Sequence, residues 1–362
     1  MPRPFASSFD AAMSKVAPVD PAAALEASQL SDRLTKPRGA LGRLETTGAR
    51  LAAIAGCCPP PVPEPVAVAV FAGDHGVVIE GVTPWPSEVT GQMVANFVAG
   101  GAAINVLARH AGARVVVVDV GVSSTLPAGL ATAGSFVDAR VRPGTGNIAV
   151  EPAMARDEAE AALDVGAGMA ARLVEEGARC LVTGDMGIGN TTASAAVIAA
   201  FCGCAPAEVT GRGTGIDDVM LAVKIGAVGR ALARLGDGRR APLEVLAGVG
   251  GLEIAALAGF IVGGAAARVP VILDGVISGA AAVAAHALAP EALGYCLAGH
   301  RSTEPGASVV LDRLGLEPVL DLDLRLGEGT GACLATAVVQ GAAKVLREMA
   351  TFDSAGVTDK DG

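Results

Sequence analysis

Hydrophobic and polar positions along the chain follow two periods, and the change from one to the other shows how the protein is organised. Residues 10–55 read as helical: DPAAALEASQLSDRL yields to a Gly/Pro turn at KPRGALG and resumes as LETTGARLAAIA. Two helices in an αα-hairpin account for this most simply. The proline-rich CCPPPVPEP at 57–65 stiffens an extended connection and marks a domain boundary. From residue 66 onward short β-branched runs recur, namely VAVAVFAG, ARVVVVDVG, ARCLVTG, VPVILDG and LDLDLRLG, with Ala-rich helical stretches between them. Each run ends in Gly or Asp-Gly. Strands alternating with helices, with glycine turns at the strand ends, predict an α/β fold built on a parallel, doubly wound (Rossmann-like) sheet covered on both faces.

The last of these runs alternates apolar and charged residues strictly from Leu320 to Leu326, the period-2 pattern of a half-buried strand, and predicts a strand that ends at Gly327. ACLATAVVQGAAKVL follows without proline, so a helix restarts within a few residues. Glu328 is thereby placed in a turn between two glycines. It is either a solvated loop acid or a ligand-facing one, since ligands of open α/β sheets bind at the carboxyl ends of strands. The helix of 332–349 is expected to return onto the N-terminal hairpin. Residues 1–58 and 332–362 would then form a small helical domain beside a large α/β domain of 59–331. The polar tail of 351–362 is expected to fray.

Composition narrows the class. Of 362 residues 51% are apolar, 18% are charged and 48 are glycine, a balance of compact α/β proteins rather than disordered ones. The net charge of -10 argues against a nucleic-acid surface, which needs a basic stripe. The longest apolar stretch, 255–289, is cut by Arg268, Pro270 and Asp274, so no membrane partner is predicted. MPRPFASSFDAAMSK lacks the apolar core of a secretion signal, which predicts a cytoplasmic location. The seven cysteines form no framework spacing and read as reduced thiols, most of them small core residues. Neither Cys57-Cys58 nor Cys202-Gly203-Cys204 has the companions a zinc site requires, and the four histidines are far apart; no metal or other cofactor is predicted.

Three stretches carry chemistry. In TGDMGIGNTTASAA, Gly187, Gly189, Asn190, Thr191 and Thr192 place backbone N–H groups and cap residues at a helix N-terminus, either as a phosphate site or as an ordinary cap. No GK[ST] follows, so this is not a Walker loop. Asp185 heads the stretch and shares an edge with Glu328 if both top adjacent strands. Two acids facing one pocket suit glycosidic-bond chemistry, where positive charge develops on a sugar ring and a proton must be removed. In GDHGVVIEGVTPWPSEVTGQMV, His75 is either an acid/base or a loop-ordering partner of the adjacent Asp. Trp85, the only tryptophan, either walls a pocket for a flat ring or caps the core. VTGRGTGIDDVMLAVK offers Arg212, Asp217, Asp218 and Lys224. Paired aspartates can hold Mg²⁺ with a diphosphate. Proteins that bind phosphoribosyl diphosphate in this way carry two acids directly after a hydrophobic strand, whereas VVVVDVGVSS has one, Asp119, so Asp217-Asp218 reads as a helix cap.

Taken together, LTKPRGALGRLE, AGDHGVVIEGVTPWPSEVTGQMV, GTGNIAV, GDMGIGNTTASAA, GVGGLEIAALAGF, PVILDGVISGAAA and RLGEGTGA, in this order, resemble the nicotinate-nucleotide:dimethylbenzimidazole phosphoribosyltransferase family over nearly the whole chain. The resemblance implies a homodimer whose site lies between a parallel α/β nucleotide-binding domain and a small helical one. It implies two substrates, nicotinate mononucleotide and dimethylbenzimidazole, with no diphosphate. On this resemblance Glu328 is the general base and Asp185 stands where many relatives carry Glu. The loop from Gly187 to Thr192 holds the 5′-phosphate, and Gln92, Trp85 and Leu326 line the base pocket. Lys224 is the phosphate-side lysine, or else a solvated helix lysine. Competing readings are an N-ribosyl transferase or hydrolase that uses the same nucleotide with another acceptor, and a non-catalytic nucleotide-binding protein. A dinucleotide oxidoreductase is disfavoured because no GxGxxG follows the first strand.

Overall fold

Seven parallel strands form one sheet in the order β3-β2-β1-β4-β5-β6-β7 in the computed structural model, which describes residues 5–130, 133–236, 238 and 240–358. The strands are β1 (Val66–Gly73), β2 (Arg114–Gly121), β3 (Phe136–Asp138), β4 (Cys180–Met186), β5 (Val271–Leu273), β6 (Cys296–His300) and β7 (Pro318–Leu320). β1 is buried at every position, as a continuous apolar run must be when helices cover both faces. Its side chains alternate between two cores. Ala67, Ala69 and Phe71 pack under helices Arg156–Glu175, Asn190–Cys202, Leu252–Ala266 and Val276–Leu288. Val66, Val68 and Val70 face helices Glu88–Ala99, Ala103–Ala111 and Thr330–Glu348. Helices Arg156–Glu175 and Leu252–Ala266 come into backbone contact because Gly166 and Gly259 have no Cβ to strike Ala256 and Leu163.

The chain reverses its strand order at β1, which lies between β2 and β4. This is the topological switch point at which a crevice opens beyond the carboxyl ends of the strands.

Several expectations change. The alternating run 320–326 is no strand: β7 stops at Leu320, and Leu322 and Leu326 are 55% and 58% exposed. β7 is the last strand of the sheet and pairs only with β6, which ends at His300; beyond it the Thr303 N–H still reaches the Leu324 carbonyl at 3.2 Å, but no regular ladder forms. Asp323 then turns left-handed (φ 55°), which breaks the pleat. β3 and β6 escaped the sequence reading because neither run is long or alternating enough to stand out. The tail expected to fray contains a short helix, Phe352–Ala355, with Thr351 as its cap; residues 359–362 lie outside the described residues. Three of the seven cysteines, Cys180, Cys296 and Cys333, are buried, fewer than expected, and all seven are free.

At the N-terminus, helices Pro21–Arg33 and Arg43–Ala55 form the hairpin, preceded by a short helix, Ser8–Met13. Helix Thr330–Glu348 serves two neighbours. Its first half covers the sheet through Ala332, Cys333 and Val339, and Leu346 in its last turn packs with Ala23, Ala27, Leu34 and Ala52 of the hairpin segment. The 88–111 segment is apolar enough to span a membrane by composition, but it breaks at Gly100 and buries Val94, Phe97, Ile104 and Ala108 beneath the sheet.

Candidate active site

β4 carries the first acid to the crevice. Asp185 is buried at its end, and its Oδ2 accepts a hydrogen bond from Asn190 Nδ2 at 2.9 Å, while Oδ1 has no partner among the described residues. Burial, then the charges of Asp274, Glu253 and Glu328, push this carboxyl well above the usual carboxylate range against the pull of Asn190. The shift favours the protonated form, which can donate a hydrogen bond. The chain then passes Gly187, where a Cβ would run into the Gly73 carbonyl oxygen of β1, and enters helix Asn190–Cys202 through Gly189 (φ 93°). Only glycine permits this approach of loop to strand.

The loop forms one wall of an open cavity. Asp185, Gly187, Gly189, Asn190, Thr191, Thr192, Lys224 and Leu326 all line it, as do Arg212, Gly213, Ser302, Glu304 and Arg325 from later segments. Lys224 is a buried residue of helix Asp218–Leu235, not a solvated one. Its Nζ donates to Thr191 Oγ1 at 2.8 Å and to the Gly211 carbonyl at 3.0 Å. Burial lowers its pKa to about 8, opposed by Glu304. Glu304 in turn accepts the Gly213 N–H at 2.7 Å, and Arg325 donates to the Gly213 carbonyl at 2.7 Å. The Ile188, Asn190 and Thr192 amides already donate to Thr90, Gly187 and Gly189, but three cationic side chains beside the start of helix Asn190–Cys202 still suit a phosphate. Asp217 caps the helix start by accepting from Met220 N, as its sequence position predicts.

Glu328 lies outside the lining of this cavity. It is buried on the neighbouring side of the turn, where its Oε2 accepts the N–H of Ile104 at the start of helix Ala103–Ala111 at 3.1 Å. Burial raises its pKa, the Ile104 amide lowers it, Asp274 raises it further, and the net shift is upward. A carboxylate that is easier to protonate is a better base. Gly327, Glu328 and Gly329 are consecutively left-handed at φ 83°, 63° and 91°. For a glutamate this costs on the order of 1–3 kcal/mol, and it persists only where the surroundings impose it. Trp85 and Gln92 are exposed and do not line the cavity either. Trp85 follows two residues after Thr83, which does, and helix Glu88–Ala99, which carries Gln92, is tied to the glycine loop by the bond from Ile188 N to Thr90 Oγ1.

Long-range pairs surround these acids. His75 does not pair with Asp74, whose carboxylate accepts from Ser123; its Nε2 meets Glu253 Oε1 at 2.7 Å, both side chains fully buried. Asp274 follows β5 and bonds the start of helix Thr330–Glu348, with His300 Nε2 3.4 Å from its Oδ1. Asp274 stands at a strand-end Asp-Gly that the sequence displays, whereas His300 sits on a strand that sequence patterning does not reveal. Among the described residues no cluster of His, Cys, Asp and Glu side chains has the arrangement of a metal site.

A parallel sheet whose switch point carries a phosphate-suited cavity and adjacent acids fits a phosphoribosyltransferase, and the phosphoribosyltransferase family model matches residues 16–357. The chain belongs to the nicotinate-nucleotide–dimethylbenzimidazole phosphoribosyltransferase family. A protein of that name from Salinispora tropica is 58% identical over 355 residues, covering 95% of this chain and 98% of the relative. One from Chloroflexus aggregans is 54% identical over 95% of this chain and 96% of its own length. A solved structure of that enzyme from Thermus thermophilus superposes with a TM-score of 0.89 at 49% identity, covering 94% of this chain and 99% of the other.

Proposed function

We propose that the chain transfers the 5-phosphoribosyl group of nicotinate mononucleotide to 5,6-dimethylbenzimidazole, giving α-ribazole 5′-phosphate and nicotinate with inversion at C1′. The observation that carries this reading is the RLGEGTGA turn, which presents the buried Glu328 carboxylate beside a cavity suited to a phosphate, in a family named for this reaction. In this reading the nucleotide fills the cavity, its phosphate held by the 187–192 loop with Lys224. The benzimidazole lies on the Glu328 side, flanked by Gln92, Trp85 and Leu326. One ring nitrogen attacks C1′ while the bond to nicotinate breaks, its electron pair leaving on the pyridine nitrogen. Glu328 takes the proton from the other ring nitrogen. Protonated Asp185 hydrogen-bonds the ribose or the departing nicotinate.

Around this site we place a homodimer, because Trp85 and Leu326 expose 49% and 58% of their surface where a second copy would cover them. We read the hairpin and the last turns of helix Thr330–Glu348 as the small helical domain, and the enzyme as cytoplasmic.

The test is to incubate the purified protein with both substrates and identify the products by chromatography and mass. Nicotinate and a dimethylbenzimidazole ribotide in equal amounts are expected. Nicotinate without ribotide would indicate hydrolysis or another acceptor. No nicotinate would leave a binding protein.

A further inference from the structure

Helix Thr330–Glu348 begins without a cap of its own, because its N-cap residue is Gly329, which has no side chain to accept from the first-turn amides. The acceptor comes from another element. Asp274, buried after β5, accepts the Ala332 N–H through Oδ1 at 2.9 Å and the Gly329 N–H through Oδ2 at 3.3 Å. A carboxylate at a helix N-terminus also meets the positive end of the helix dipole. The segment held in this way is the left-handed turn of residues 327–329 that carries Glu328. Thr330 Oγ1 donates to the Gly327 carbonyl at 2.8 Å, and Gly184 of β4 leaves room for the Glu328 carbonyl. Of the groups that grip the turn, Asp274 is the charged one.

His300 connects this clamp to the cavity. It lines the cavity, its ring packs on Gly331, and its Nε2 stands 3.4 Å from Asp274 Oδ1 without hydrogen-bond geometry. Burial pulls its imidazole down, but Asp274, a backbone bond at Arg301 and the charge of Asp321 together outweigh this and leave it raised.

Resting on the transferase reading, we propose that Asp274 is a positioning residue for Glu328: from the end of β5 it clamps the 327–329 turn so that the carboxylate is held against Ile104, with His300 as its counter-charge. The groups that face this arrangement are Asp185 from β4, Glu328 on the turn, His300 from β6, the Arg301–Asp321 pair beside His300 and Cys333 on the helix itself, with the His75–Glu253 pair behind Asp185.

Asp274→Asn is nearly isosteric, but it keeps one acceptor for two amides and loses the charge. It is expected to lower kcat about 10- to 100-fold while the KM for nicotinate mononucleotide stays within about twofold, since the lost interaction serves the base rather than nucleotide binding. The acid limb of kcat should move to lower pH, because a negative charge beside Glu328 is gone. His300→Gln should move that limb the opposite way, because Asp274 then lacks its counter-charge. A helix cap of purely structural value would lower stability and leave both limbs in place. Wild-type kcat in Asp274→Asn, or an unmoved acid limb in both variants, overturns the proposal. Amide hydrogen exchange at Gly329 and Ala332 gives a readout that needs no turnover. Protection at both should fall about tenfold or more in Asp274→Asn while β1 and β4 are unaffected, and unchanged protection overturns the clamp. If Asp274→Asn does not fold, the His300→Gln limb decides. If the wild-type protein makes no ribotide, the activity reading has failed, and exchange still decides whether Asp274 holds the turn.

Discussion

The carboxylate of Glu328 accepts the backbone N–H of Ile104 at 3.1 Å, a bond between residues 224 positions apart. It turns the acid toward the start of helix Ala103–Ala111 and away from the cavity that the 187–192 loop lines. Only Oε2 is engaged among the described residues, which leaves Oε1 to take a proton. Replacing Glu328 by Gln keeps shape and burial but removes the base. Turnover should fall roughly 10²- to 10⁴-fold. Nicotinate mononucleotide should still bind with near wild-type affinity by calorimetry. Wild-type turnover in a folded Glu328→Gln protein would remove Glu328 from the mechanism.

On the proposed reading, in which Lys224 holds the phosphate, the nucleotide step is pH-dependent. Burial holds its pKa at about 8, so its positive charge is present below that pH and is lost above it. kcat/KM for nicotinate mononucleotide should therefore decline as pH rises through about 8. The limb should vanish in Lys224→Met, whose KM should rise about 10- to 100-fold for the loss of a charge-assisted bond worth roughly 1.5–3 kcal/mol. A basic limb that persists in Lys224→Met would assign it to another group.

The His75–Glu253 pair contributes to stability, and its pH sign follows from the upward shift of His75. Burial alone would lower this imidazole, but Glu253, by charge and hydrogen bond, raises it above the ordinary 6.5. A group raised on folding stabilises fully below its unfolded pKa, and that contribution is lost as pH rises through the folded value. Thermal stability should thus drop on going from about pH 6 upward through that value. Glu253→Gln should flatten this dependence and cost about 3–5 kcal/mol, since it leaves a buried partner uncompensated. An unaltered pH profile in Glu253→Gln would show that Glu253 is not what raises His75.

Gly187→Ala tests the close approach of loop and strand. The added Cβ meets the Gly73 carbonyl oxygen, a backbone atom that cannot rotate away, and lies 3.4 Å from His75 Nε2. Overpacking of this kind costs about 1–3 kcal/mol. Nucleotide affinity should fall as the cavity wall shifts, whereas Gly341→Ala, inside helix Thr330–Glu348 where a Cβ meets nothing within 4 Å, should leave binding unchanged and raise stability by about 0.5–1 kcal/mol. Equal behaviour of the two variants in denaturant titrations and binding would rule the contact out.

How far the sequence was legible depends on the range of the interaction that defines each feature. The continuous apolar run of β1 announces a strand buried on both faces, and Gly-Ile-Gly-Asn-Thr-Thr announces a tight turn into a helix; both stand in the structure as those local patterns require. The 320–326 run misled because period-2 alternation says what a strand would need and not whether a neighbouring strand exists to pair with it. His75 misled for a related reason: adjacency to Asp74 proposed one partner, and folding supplied Glu253 instead.

By itself, the sequence determined the α/β class, the glycine turns at strand ends and the identity of the acids near them, because these rest on backbone preferences and on burial periods that act over a few residues. Tertiary structure alone decided the bond from Ile104 to Glu328, the Asp274 clamp, the burial of Lys224 and the approach of His300. Each of these joins segments that meet only after parallel strands and their helical crossovers bring remote stretches to one edge of the sheet, and no local pattern encodes a partner at such a distance.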